Sequence, residues 1–261
     1  MTPIARKQIG FTLTELAMVL VIVGLLLGGL IVPLSAQQDL RATKTTQDKL
    51  AEAKNALLGY AAANGRLPCP AQAGSGKSAP ESAGACTATL NGVAVGFLPA
   101  STLGLSPLNS TGMSLDGWDQ PIRYAISTVA VGAQNDPFTA ANGMRSATMA
   151  SIAGGTLISI CSSASGVTNA GTANATCSVA NKLTDNAVVV IWSSGKNWSA
   201  GGTGADERHN PNPNTTVAQD PLFISHDIAA AGGANGEFDD LVTWIPPSIL
   251  FNRMIAAGQL P

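Results

Sequence analysis

The chain's 261 residues leave room for one or two domains. Apolar residues make up 45% and charged ones only 11%, with 28 glycines and a formal net charge of −2. Such a chain is too apolar for disorder and too acidic for a general electrostatic grip on nucleic acid, which is not an indicated partner. The composition suits a loop-rich extracellular β-domain rather than a charged cytosolic enzyme.

The first element is the most informative. Arg6 and Lys7 precede Gly10-Phe11-Thr12-Leu13-Thr14-Glu15-Leu16, and from Leu16 to Leu34 no residue is ionisable. An apolar helix of about 20 residues can span a bilayer core. Glu15 is the single charge in the run, and a carboxylate there is expensive unless something neutralises it. A secretory signal accounts for the basic residues, but the apolar core is long and no Ala-x-Ala site follows it. A plain membrane anchor accounts for the length but gives no reason for Glu15.

The block from Gly10 to Leu16, with Pro33 near the end of the apolar run, resembles the prepilin leader of type IV pilins and type II secretion pseudopilins. The resemblance covers the first third of the chain at most. It implies a leader at residues 1–10, cleavage by prepilin peptidase between Gly10 and Phe11, N-methylation of Phe11, and a register role for Glu15. Cleavage would create an α-amine on Phe11. An ammonium and a carboxylate in low dielectric attract strongly, so pairing them across neighbouring subunits can fix an axial register.

Residues from Phe11 to about Ala63 read as one long helix. Its first half, 11–35, is apolar all round, as a lipid-embedded helix must be, and Pro33 should kink it. Over 36–64, Leu40, Thr43, Leu50, Ala53, Leu57 and Ala61 recur at helical spacing between charged residues, so this half is amphipathic and should pack on the globular part. Asn64-Gly65 stops the helix, and Pro68 and Pro70 confirm the stop.

The globular head spans 65–261. It holds Cys69, Cys86, Cys161 and Cys177, an even count that reads as disulfides in an oxidising compartment. Three pairings exist; the two short loops favour Cys69–Cys86 and Cys161–Cys177. Inside the first loop, Gly74-Ser75-Gly76-Lys77-Ser78 looks like part of a phosphate loop. Ala71 stands where that motif needs its first Gly and no strand precedes it, so it is read as a surface loop.

Val93 to Leu98 reads either as a short strand or as a segment packed on the helix, and strands are expected at Ile122 to Ile126, Thr156 to Cys161 and, most strongly, Ala187 to Trp192. Asp116-Gly117 signals a turn before the first of these strands. The segment from Asp116 to Tyr124 is similar to the stretch where the chain of major pseudopilins enters its sheet. The tail from Pro247 to Leu260 has Ile249, Leu250, Met254 and Ile255 at helical spacing and should form a closing helix.

In the pseudopilins a Ser-x-Gly-Ala-Asp-Gly turn after a strand and an Asp-rich segment before a Trp enclose calcium. The order here is similar: the Ser193-Ser194-Gly195 turn, a polar loop with Asp206, Glu207, Arg208 and His209, then Asp239-Asp240 and Trp244. Asn197 stands in place of the turn aspartate, and the loop is longer. Asp239 and Asp240 are thus candidate calcium ligands by that resemblance, or else form a plain Asx turn at the start of the last strand. His209 and His226 have no ligand partner at helical spacing. Ser225-His226-Asp227 lacks a nucleophile elbow, so no enzyme is expected.

The expected fold is therefore α+β: a long N-terminal helix, transmembrane then amphipathic, packed on an antiparallel β-sheet head with long disulfide-closed loops. The resemblance implies a structural subunit in the inner membrane, single-pass with a periplasmic head, and then in a cell-surface or periplasmic filament. Its partners would be prepilin peptidase, other pilins or pseudopilins, an inner-membrane assembly platform and the lipid bilayer. Size and insertions favour a minor pilin over a bulk subunit; a type II secretion pseudopilin and a filament-presented adhesin or DNA-uptake protein are the alternatives.

Overall fold

The computed structural model describes residues 11–77, 86, 89–132, 134–146, 149–153, 155–200, 204–211, 220–230, 232–233 and 235–260, with only the backbone of helix residues 27–35. One helix, α1, runs from Leu13 to Asn64 over 52 residues and continues through Pro33. It stops where the sequence says it should: Gly65 takes φ +69°, and its N–H donates to the Ala61 carbonyl (2.8 Å). Only glycine adopts this left-handed cap without a Cβ penalty.

The chain divides into two compact units, Met1–Thr43 and Lys44–Pro261. In the first, the described apolar side chains from Phe11 to Leu26 all stand exposed, including Leu16, Met18, Leu20 and Leu25. Among the described residues no helix is long and apolar enough to cross a membrane. The expected span runs to residue 35, and the side chains of 27–35 lie outside the described residues. The transmembrane character of this half is therefore a reading of the sequence.

In the second unit, α1 buries one stripe: Thr46, Leu50, Ala53, Leu57 and Ala61, with Leu58 beside it. Leu40 was expected on this face but is 71% exposed, because the buried stripe begins only at Thr46. Fully burying a Leu side chain contributes about 1.5–3 kcal/mol, so the stripe holds the helix to the sheet.

The sheet is built from β1 (Thr89–Leu90), β2 (Val93–Phe97), β3 (Arg123–Ser127) and two later strands. Between β2 and β3 lies the short α2 (Ala100–Leu103); after β3 come α3 (Gly143–Ser146), α4 (Met149–Ala153), β4 (Ile158–Cys161) and β5 (Lys182–Ala187). Then follow β6 (Val189–Ser193), β7 (Leu222–Ile224), β8 (Leu241–Ile245) and the closing helix α5 (Pro247–Ala256). The main sheet has the order β1-β2-β3-β6-β8, antiparallel throughout. A smaller sheet, β5-β4-β7, pairs β4 with β5 antiparallel but with β7 parallel. The expectation of a single antiparallel sheet is thus corrected. Ser159 to Cys161 pair in parallel with Leu222 to Ile224, a geometry that needs a long crossover, here the chain between the two strands.

Strand alternation explains the layers. On β3, Tyr124 and Ile126 point to one face, where they meet Leu50, Leu57 and Ala61 of α1 and Leu250, Phe251 and Met254 of α5. Ala125 points to the other face, joining Val93, Val95, Val190 and Trp192 against Ile158, Ile160 and Phe223 of the smaller sheet. The main sheet is therefore covered on both sides. The buried Tyr124 hydroxyl is satisfied, donating to the Pro68 carbonyl (3.0 Å). The second half of α1 is further pinned to the Asp116 turn: Gly117 N–H donates to Thr46 Oγ1 (2.9 Å), and Lys49 Nζ donates to the Leu115 carbonyl.

Both disulfides form as expected, Cys69–Cys86 and Cys161–Cys177, with Cα separations of 5.5 and 5.7 Å. Each closes a short loop, which limits the unfolded chain by roughly 3 kcal/mol.

Candidate functional site

Two places carry chemistry: the start of α1 and a buried acidic cluster at one end of the main sheet.

Gly10 lies outside the described residues, so the expected cleavage junction is seen only from its Phe11 side. Phe11 is 87% exposed. Thr12 and Glu15 cap the helix reciprocally. Thr12 N–H and Oγ1 donate to Glu15 Oε2 (2.9 and 2.8 Å), and Glu15 N–H donates back to Thr12 Oγ1 (3.3 Å). This is a capping box, in which Thr and Glu three residues apart satisfy the free donors of a helix start. Sequence reasoning read Glu15 only for register; the Thr-x-x-Glu spacing was the available signal for its second role.

The acidic cluster follows from topology. β6 and β8 are antiparallel neighbours, with Ser193 opposite Leu241. The turn leaving β6 therefore lies beside the residues entering β8. Asp239 Oδ2 accepts the backbone N–H groups of Lys196 (2.8 Å) and Asn197 (3.1 Å). Gly195 makes this approach possible: φ is +61°, and a Cβ there would collide with the Asp239 carboxylate. Asp240 Oδ2 accepts from Asn210 Nδ2 (2.7 Å), and Asn210 also donates to the Ile224 carbonyl (3.0 Å) and accepts its N–H (2.8 Å). That amide ties β7 to the cluster.

The polar loop between β6 and β7 brings in a third carboxylate, Glu207, on a single 3-10 turn, Glu207–His209. Carboxylate oxygens of Glu207, Asp239 and Asp240 lie within 4.8 Å of one another, and all three residues are buried. Glu207 Oε1 and Oε2, Asp239 Oδ1, Asp240 Oδ1 and Asn197 Oδ1 are sealed from solvent without a hydrogen-bond donor. Among the described residues no lysine, arginine or histidine pairs with the three carboxylates.

Electrostatics express the same conflict. Burial, then the adjoining Asp239 carboxylate, push the Glu207 carboxyl up to about 8, while the nearby Asn197 side chain works the other way. Burial, joined by the charges of Glu207 and Asp239, holds Asp240 well above the usual carboxylate range, against the pull of Asn210. Buried carboxylates without a counter-charge must take up protons or a cation. The donor set is all oxygen, which suits a hard cation such as calcium rather than zinc.

The structure thus brings together Asp239 and Asp240, both expected from sequence, with Asn197 at the turn. Glu207 was noted only as part of the polar loop. No periodicity marks it, and only the return of the loop onto the β6–β8 end reveals it. Its neighbour Asp206 has a different task. It accepts from Ser163 Oγ (3.1 Å), Ala164 N–H and Asn235 Nδ2 (2.9 Å), with His226 Nε2 at 3.2 Å. Asp206 thus joins the loop after β4 to the loop before β8. His226 stacks on Phe238, ring centroids 3.9 Å apart, and its Nδ1 faces the Asp227 backbone carbonyl (2.7 Å).

Residues 5–31 match the prokaryotic N-terminal methylation motif. No curated protein and no solved structure matches the chain. The match spans about a tenth of the sequence, and it supports the resemblance of this N-terminal segment to that of type IV pilins and type II secretion pseudopilins.

Proposed function

We propose that the chain is a minor subunit of a type IV pilus or pilus-like filament, with a structural rather than an enzymatic role. The first half of α1 would insert in the inner membrane and leave the head in the periplasm. Prepilin peptidase would cut between Gly10 and Phe11, and Phe11 would be N-methylated. The mature subunit would then pack through α1 against other pilins at the assembly platform. One observation carries this reading: α1 begins with a methylation motif and presents apolar side chains on every side from Phe11 to Leu26. Such a surface needs lipid or neighbouring helices to cover it. Within that surface Glu15 offers a carboxylate to the amine of an adjacent subunit.

Intact mass of the protein from membranes, with and without the peptidase, tests the proposal. A mature chain beginning at methylated Phe11, with both disulfides closed, is the expected result. A chain still beginning at Met1 in cells with active peptidase refutes it.

A pseudopilin of a type II secretion system is the second reading, and the acidic cluster favours it. Glu207, Asp239 and Asp240, with Asn197, would hold calcium where the end of β6 meets the start of β8, closing the long loop on the sheet. The supporting observation is the set of sealed, donor-free oxygens. Loss of protein secretion on deletion would select this reading; loss of surface filaments with secretion intact would select the pilus. Stoichiometric calcium in the purified chain, removable by chelator, tests the site under either reading.

A further inference from the structure

On the main sheet, Phe97 of β2, Arg123 of β3 and Trp192 of β6 stand directly opposite one another on three adjacent strands. Their side chains share one face, and the Arg123 guanidinium lies over the Phe97 ring (4.5 Å to the centroid) with the Trp192 ring on its other flank (5.7 Å). Arg123 is 8% exposed. Among the described residues it makes no hydrogen bond or ion pair, and its Nε is sealed without an acceptor. Burial alone pulls its pKa down to about 10, so it remains charged at neutral pH.

Aromatic faces compensate a buried cation only in part. Beside Arg123 lies a cavity of about 170 Å³, walled by Phe97, Gln120, Pro121, Ser194 and Trp198. That is close to the volume at which an apolar cavity admits one benzene ring. We propose that this cavity binds a carboxylate carried on an apolar body no larger than one aromatic ring. The guanidinium fork matches a carboxylate with two parallel hydrogen bonds. A phosphate fits less well, because Arg123 is the one cation among the described residues that line the cavity and most of its wall is apolar. Phe97, Pro121 and Trp198 would cover the body, with the Ser194 hydroxyl near the charged end. The acid could be a free small molecule or the C-terminal residue of a polypeptide; the recognition chemistry is the same.

Calorimetric titration of the full-length chain in neutral detergent micelles tests the site, with benzoate as the probe and benzamide as its uncharged counterpart. One saturable benzoate site is expected, with benzamide at least tenfold weaker, the discrimination typical of a charge-assisted hydrogen-bond pair. Arg123→Gln should weaken benzoate by a similar factor, and Trp198→Ala should weaken it while leaving Arg123 in place. Gly-Gly-Phe with a free carboxylate, against its C-terminal amide, separates the two sources: competition by the acid alone identifies a polypeptide terminus, and none identifies a free small acid. Benzoate that never saturates, or benzamide that matches it, overturns the proposal without recourse to any variant. So does unchanged benzoate affinity in a folded Arg123→Gln chain.

Discussion

Replacing Glu207 by Gln should make the metal-free protein more stable and much less responsive to calcium. The reasoning starts from the raised pKa. A carboxyl whose folded-state pKa lies above its unfolded value favours folding below the unfolded value. It loses that advantage as pH rises through the folded one. For Glu207 the window runs from 4.5 up to about 8. With chelator present, wild-type stability should therefore fall as pH climbs through this range. At a pH of about 7.5 the folded cluster must still take up a proton that the unfolded chain has lost. Three pKa units at about 1.4 kcal/mol each put that cost on the order of 4 kcal/mol. Gln has no proton to take up and supplies donors to the Asp239 oxygens, so it removes most of the cost. For a domain of this size roughly 2–4 °C accompany each kcal/mol, which predicts a rise of roughly ten degrees in melting temperature. Calcium narrows the difference. Wild type should gain about 2.7 kcal/mol at a hundredfold excess over Kd, and the variant, one ligand charge short, far less. Thermal denaturation in chelator and in calcium, at several pH values, reads both effects. If the variant melts below wild type in chelator and calcium lifts both equally, the three carboxylates are not a cation site.

Further outcomes follow from the same geometry. Gly195→Ala forces a side chain into left-handed backbone and onto Asp239; it should cost about 1–3 kcal/mol and abolish the calcium-dependent rise in melting temperature. Leu57→Ala opens a cavity where α1 meets the sheet and should cost about 2–5 kcal/mol in urea denaturation, with the calcium response kept. Glu15→Ala removes the capping box as well as the carboxylate. Filament recovery from cells should collapse while melting of the head is unchanged, since Glu15 is fully exposed; a head destabilised as much as by Leu57→Ala would contradict that.

Some of this was legible before any coordinates. The helix was, because its apolar run and its Asn64-Gly65 stop are local signals. So were β2, β3, β6 and α5, whose apolar periods survive in short windows, and both disulfides, whose loops are short. Of the smaller sheet only β4 was, in the run from Thr156 to Cys161; its two partners were not. β5 reads Lys-Leu-Thr-Asp-Asn-Ala, polar because it is an edge strand with its middle only half buried. β7 is three residues whose strand character comes from pairing with Ser159–Cys161. Leu40 misled because helical spacing continues past the point where there is a surface to cover. At the site, Asp239 and Asp240 were found through their position before Trp244. Glu207 could not be, since its proximity depends on where a long loop returns. Arg123 was passed over as one residue of an alternating strand, its meaning set by Phe97 and Trp192 on neighbouring strands.

The position of β6 in the sheet also constrains when the head can form. Its partner on one side, β3, has been made long before it, but its partner on the other, β8, begins only at Leu241. Until residues 241–245 are available, β6 presents a bare row of amides and carbonyls along a run of valine and isoleucine, the kind of edge that other chains pair with. The disulfide loops and the helix stripe can be in place earlier, but sheet closure waits on a contact far along the chain, and such contacts are slow. A nascent or truncated chain that stops short of Leu241 thus leaves this edge open to other chains rather than forming a smaller version of the same head.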